Sequence, residues 1–311
     1  MNRVLAHMGS RYPIVQAPMG WIARSALASA VCNAGGMGII ETSSGETEAC
    51  KAEILKMRGL TTAPFGVNLP ILFLKDDAML RFICESGVRF VTTSAGSPAK
   101  FVAPLHEAGI IVYHAVPTAE AALKSVAAGV DGLVVEGSEG GGFKNPEEVS
   151  SMVLLQAVRR AVNVPIIAAG GICDGKGMAA AFALGAEAVQ MGTRFVSAAE
   201  SPVHSNFKQA ILDARETGTI VLNKKSSPCI RALKTQRTAE IHEAGLMPPE
   251  TFKRLLELYF GGDMEAAVGL AGQTAGLIDE IKTAREIIEE TVAEFHAIGS
   301  RLGAMAATKS F

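Results

Sequence analysis

No stretch of 18 uninterrupted apolar residues occurs in the 311-residue chain, which argues against a helix that crosses a bilayer. An excess of charge of one sign is also missing, since 29 Lys and Arg face 31 Asp and Glu for a net charge of -2. Without a positive field to hold a polyphosphate backbone, nucleic acid is not an expected partner. Residues 1–13 lack the charged-then-apolar layout of a secretory leader, so a cytoplasmic protein is expected. The five cysteines, Cys32, Cys50, Cys84, Cys173 and Cys229, are odd in number, widely spaced and free of any CxxC pair. That pattern argues against a disulfide framework and a zinc site, and no metal is expected.

What is present is apolar residues, at 49%, and 32 glycines, about a tenth of the chain against a usual ~7%. This is the composition of a glycine-rich α/β protein. Short β-branched runs alternate with helix-forming stretches. The runs lie at 14–19, 36–41, 65–70, 88–95, 110–116, 132–136, 164–169 and 188–192, and helical segments at 25–33, 47–57, 76–86, 119–128, 147–161 and 176–184. Parallel strands need helical crossovers, and strands buried on both faces read as near-continuous apolar runs, as Val164 to Ala169 does. Eight repeats favour a closed (β/α)8 TIM barrel over an open doubly wound sheet. The expected organisation is an α/β barrel over 1–195 and a smaller, mainly helical lid or substrate domain over 196–311. Helices are expected there at 249–259, 264–270 and 277–301, the last packing back on the barrel.

In such a barrel the chemistry sits at the strand C-termini. The seventh and eighth runs end in Ala169-Gly170-Gly171-Ile172 and Gln190-Met191-Gly192-Thr193. Glycines there let backbone N–H groups approach a ligand, and loops after these two strands form the usual phosphate site of the fold. The alternative is that Gly170, Gly171 and Gly192 only make tight turns. The first run ends in Gln16-Ala17-Pro18-Met19-Gly20-Trp21, whose small residues suit the edge of a planar ring system. Asn68, at the end of the third run, is either an amide facing a heteroaromatic edge or a turn cap. The sixth run leads into Glu136-Gly137-Ser138-Glu139-Gly140-Gly141-Gly142-Phe143, whose glycines and two carboxylates are costly in entropy as mere connection.

Taken in order, QAPMGW, FGVNL, EGSEGGG, AAGGI and QMGTRF resemble the nitronate monooxygenase family, with a weaker echo at Gly272 to Ile278. Flavin-dependent enoyl-acyl-carrier-protein reductases and some NAD(P)H:quinone reductases share that fold. The resemblance implies a barrel that binds FMN, with NADH or NADPH as a further co-substrate left open. It places Asn68 near the isoalloxazine, Ala17, Pro18 and Met19 under the ring, and Glu136 and Gly141 against the flavin. Gly171, Gln190, Met191, Gly192 and Thr193 would hold the ribityl phosphate. Glu136 and the stretch from His114 to Thr118 look more like the reductases, since many nitronate monooxygenases carry Gln at the former position.

Phe143 departs from the family, whose glycine-rich motif usually ends in a His held to be the acid or base beside the flavin. Phe moves no proton. His114 and Glu139 are the candidate replacements, against a structural histidine and a loop-ordering carboxylate respectively, and Lys144 reads as solvated. The leading expectation is FMN-dependent oxidation of alkyl nitronates with oxygen, because a nitronate is already an anion and needs no base. The alternative is NAD(P)H-dependent reduction of an enoyl thioester or quinone through the same flavin, and the third is a flavin-binding protein without turnover. Expected partners are a small-molecule substrate and no membrane, with a homodimer left open.

Overall fold

The computed structural model describes residues 2–307. Its strands are Ile14–Gln16 (β1), Met37–Ile40 (β2), Gly66–Pro70 (β3), Phe90–Ser94 (β4), Ile111–Val116 (β5), Gly132–Glu136 (β6), Gly142–Phe143 (β7), Ile166–Ala169 (β8), Ala188–Met191 (β9), Thr219–Leu222 (β10) and Ile230–Leu233 (β11). β1 to β6, β8 and β9 form a closed parallel barrel. Val15 of β1 lies opposite Met37 of β2 on one side and Gln190 of β9 on the other, which closes the ring. All eight expected strands exist, several with shorter ends. The first stops at Gln16, before Pro18, which has no N–H to give to a ladder.

The strands alternate as a barrel requires. Met37, Ile39, Phe90, Tyr113, Val134, Ile167 and Ala188 fill the interior, while Ile40, Val91, Leu133, Val135 and Ile166 face the surrounding helices. A further helix, Arg3–Met8, precedes the first strand and adds Val4 and Met8 to the interior cluster. Arg3 reaches Glu187, the residue before β9 (Nε to Oε1, 3.0 Å), so this helix closes the barrel at the strand N-termini. The opposite end is left for the site.

The segment after Val196 is not helical throughout. β10, β11 and β7 form an antiparallel sheet in that order, with Ile230 opposite Phe143 and Arg231 opposite Gly142. The segment 264–270, expected as a helix, is not one. Its apolar spacing reflects burial of Ala266, Ala267 and Val268, and Val268 packs with Leu222 and Ile230 under the small sheet. Of 249–259, Pro249–Phe252 is a 3-10 turn and Leu255–Gly261 a helix. Two unexpected helices, Ser205–Leu212 and Gln236–Ala244, complete the region. The final helix runs over Ala284–Ala307 and lies against the barrel helices Gly175–Ala183 and Ser25–Asn33. Phe295 meets Phe182 there, ring centres 5.0 Å apart. No helix among the described residues is long and apolar enough to cross a membrane.

Candidate active site

A cavity of about 630 Å³ opens at the C-terminal ends of the barrel strands, within the ~300–1,000 Å³ typical of cofactor sites. Its wall brings together Ala17, Pro18, Met19, Asn68, His114, Glu136, Glu139, Gly141, Gly170, Gly171, Gln190, Gly192 and Thr193. Met191 is the exception among the sequence candidates. It is fully buried in the outer core, and its carbonyl accepts from Ala17 N (2.9 Å), so it helps join the ends of β9 and β1.

Three features of the wall suit a flavin. Gly171 holds a left-handed backbone (φ 76°), and its N–H donates to no group among the described residues. At Gly192 an added methyl group would come no nearer than 3.6 Å to Ala17 and 3.9 Å to the Met19 sulfur, so that part of the wall is open space. The Gln190 Oε1 atom is buried without a hydrogen-bond partner, an orphan that a bound polar edge would satisfy. Asn68 is already engaged: Oδ1 accepts from Thr92 Oγ1 (2.9 Å), and Nδ2 donates to Ser94 Oγ (3.3 Å).

The carboxylates and the histidine differ in how free they are. Glu139 accepts from the backbone N and the hydroxyl of Ser151, both at 2.9 Å, at the start of helix Ser151–Ala161. Its carbonyl accepts from Gln273 N (2.9 Å), which brings in the 272–278 segment. The close approach of the two segments needs glycine at 141, because a methyl group there would stand 2.6 Å from the Ala271 carbonyl carbon. His114 is buried with Nδ1 2.7 Å from Thr93 Oγ1, and burial pulls its pKa down to about 4. The imidazole is therefore neutral near pH 7.

Lys144 corrects the sequence expectation of a solvated side chain. Only 4% of its side chain is exposed, and its ammonium is paired with Glu136 Oε1 at the end of β6. The sequence carried no sign of this, since the pairing needs the glycine-rich loop to fold back on its own first residue. Phe143 lies at the cavity mouth, 46% exposed, between Phe73 (5.5 Å) and Phe252 (6.2 Å). Arg231, also missed, fastens the loop from the small sheet. It donates to Ser138 O (2.8 Å) and Thr219 Oγ1 (3.1 Å), and pairs with Glu148 (3.2 Å).

A barrel with an open glycine-lined cavity at its strand C-termini is an architecture that can hold a phosphorylated cofactor such as a flavin. The family comparison agrees, for the nitronate monooxygenase profile matches residues 2–82 and 74–294. The chain belongs to the nitronate monooxygenase family and is an oxidoreductase of it, with a flavin as the family's cofactor. It is 31% identical to a nitronate monooxygenase of Pseudomonas aeruginosa, over 93% of this chain and 99% of that protein. The same identity, over 92% and 93%, relates it to the (3aS,4S,5R,7aS)-5-hydroxy-7a-methyl-1-oxo-octahydro-1H-indene-4-carboxyl-CoA dehydrogenase of Mycobacterium tuberculosis. Among solved structures, FabK from Thermotoga maritima superposes with a TM-score of 0.93 at 39% identity, covering 98% of this chain and 99% of that one.

Proposed function

We propose that the chain binds one FMN without a covalent bond and uses it to pass reducing equivalents from NADH or NADPH to the double bond of an enoyl thioester. The flavin supplies the two-electron relay. Gly171, Gly192 and Thr193 are the residues proposed to hold its phosphate, and Gln190 and Asn68 to face its polar edge. His114 and Glu139 act as supports, the first through its bond to Thr93 and the second by ordering the 136–143 loop against Ser151.

The observation that carries this reading is the character of the mouth. Phe143, Phe73 and Phe252 present apolar rings where an acyl or aromatic group would enter, a surface that suits an acyl thioester better than a small charged nitronate. Reduction of an enoyl thioester needs no base on the protein: a hydride from the reduced flavin reaches the β-carbon, and water at the open mouth gives the proton to the α-carbon. The carboxyl-CoA substrate in the name of the mycobacterial relative is also a thioester. We place the reaction in the cytoplasm, a compartment that keeps thiols such as these five unpaired cysteines reduced.

A second reading, oxidation of a preformed nitronate by oxygen, is favoured by the full-length similarity to the Pseudomonas enzyme. Release and identification of the bound flavin, followed by steady-state assays, tests the proposal. NAD(P)H oxidation that depends on crotonyl-CoA supports it. Oxygen uptake with propyl-1-nitronate, in the absence of that activity, replaces it with the second reading.

A further inference from the structure

Lys144 is the one cation on the cavity wall among the described residues. The other ionisable groups there are committed. Glu139 is held by Ser151, Glu148 by Lys224 and Arg231, and His114 by Thr93. The Lys144 ammonium has a single partner, Glu136, so of its three donors two remain unused. Its setting is built from three sides. The Lys144 backbone N–H donates to Cys229 O (2.9 Å), which extends the pairing of β7 with β11. The side chain then turns back to Glu136, the last residue of β6. Gly140 leaves the space for this pair, since a methyl group at that position would stand 2.5 Å from Glu136 Oε1 and 2.9 Å from Lys144 Nζ.

When a hydride adds to the β-carbon of an enoyl thioester, the electron pair of the double bond moves toward the carbonyl and negative charge collects on its oxygen. A fixed donor in a site shielded from water is the group that stabilises such charge best. We propose that Lys144 donates to the thioester carbonyl oxygen of the substrate and stabilises its enolate, with Glu136 as the positioning residue that aims the ammonium. This rests on the thioester reading above and adds the residue that recognises the reacting oxygen.

Acetoacetyl-CoA tests the assignment, since its enolate has an ultraviolet band that the keto form lacks. Added to the flavin-loaded protein near neutral pH, it should bind with the enolate band enhanced. Lys144→Met should lower the bound enolate fraction by about tenfold to a hundredfold, the worth of one charge-assisted hydrogen bond, while flavin affinity stays unchanged. Lys144→Arg, which keeps the cation if the packing around methionine fails, should restore part of the band. An unaltered band in Lys144→Met, or loss of flavin from it, overturns the proposal. A wild-type protein that reduces crotonyl-CoA yet binds acetoacetyl-CoA only as the keto form overturns the role of Lys144 and leaves the thioester reading standing. A wild-type protein that neither binds nor reduces a CoA thioester overturns both.

Discussion

Gly192→Ala separates the proposed cofactor site from the fold more cleanly than any other single change. Gly192 has φ -100° and ψ -76°, at the border of the right-handed region that alanine also occupies. The new methyl group would meet Ala17 at 3.6 Å and Met19 at 3.9 Å, ordinary contact distances. The flavin-free variant should therefore unfold at the wild-type temperature. In the loaded protein the same methyl group would occupy the space proposed for the phosphate beside the Gly192 and Thr193 backbone. Displacing one N–H contact to a charged group costs about 1.5–3 kcal/mol, or roughly 10–100-fold in FMN affinity. Gly171→Ala makes the contrast. Its φ of 76° should cost the flavin-free protein about 1 kcal/mol or more as well as weakening FMN binding. The assays are fluorescence titration of FMN into each flavin-free protein and thermal unfolding before loading. FMN affinity unchanged in Gly192→Ala would refute the phosphate assignment, and an unfolding temperature that falls as far as that of Gly171→Ala would refute the claim that this wall is open space.

Three further outcomes follow from the site. Asn68→Leu strips the Thr92 hydroxyl of its acceptor in a buried position, which should cost about 1–3 kcal/mol in urea unfolding and weaken FMN binding in titration. His114 carries a folded-state pKa pulled below its ordinary value to about 4, so the unfolded chain binds the extra proton. Its contribution is complete above about pH 6.5 and is lost as the pH falls toward 4, on the order of 3 kcal/mol. Urea midpoints across that window should fall in the wild type and stay flatter in His114→Asn. Phe143→His should raise kcat/KM for neutral nitroalkanes more than for preformed nitronates, because a base helps only where a proton moves. An equal change for both substrates would show that position 143 acts through packing.

The eight barrel strands were legible because burial on both faces leaves near-continuous apolar runs, and the glycine turns after β8 and β9 because the fold reserves those ends for ligands. Thirteen of the wall residues now seen together were marked by motifs alone, each at the end of a run or in the loop that follows. The small sheet was harder. Thr219–Leu222 and Ile230–Leu233 are four residues each, and the third member is two residues from a glycine-rich loop. The β-branched Thr-Ile-Val of β10, bounded by Gly218 before it and Asn223 after it, was the signal available. Lys144 left no such signal. Whether an ammonium beside a glycine-rich loop meets water or a carboxylate eight residues back is decided by the tertiary path of the loop, which the small sheet and Arg231 set from almost ninety residues downstream.

Anaerobic half-reactions test directly the proposed entry of electrons from a reduced nicotinamide and their exit to an enoyl thioester. The FMN-loaded protein is mixed with NADH or NADPH under argon and followed at the flavin absorption band, and crotonyl-CoA is then added. Rapid bleaching by at least one nicotinamide is expected, with return of the band on addition of the thioester. A flavin that neither nicotinamide bleaches, but that propyl-1-nitronate reduces at once, would contradict the proposal.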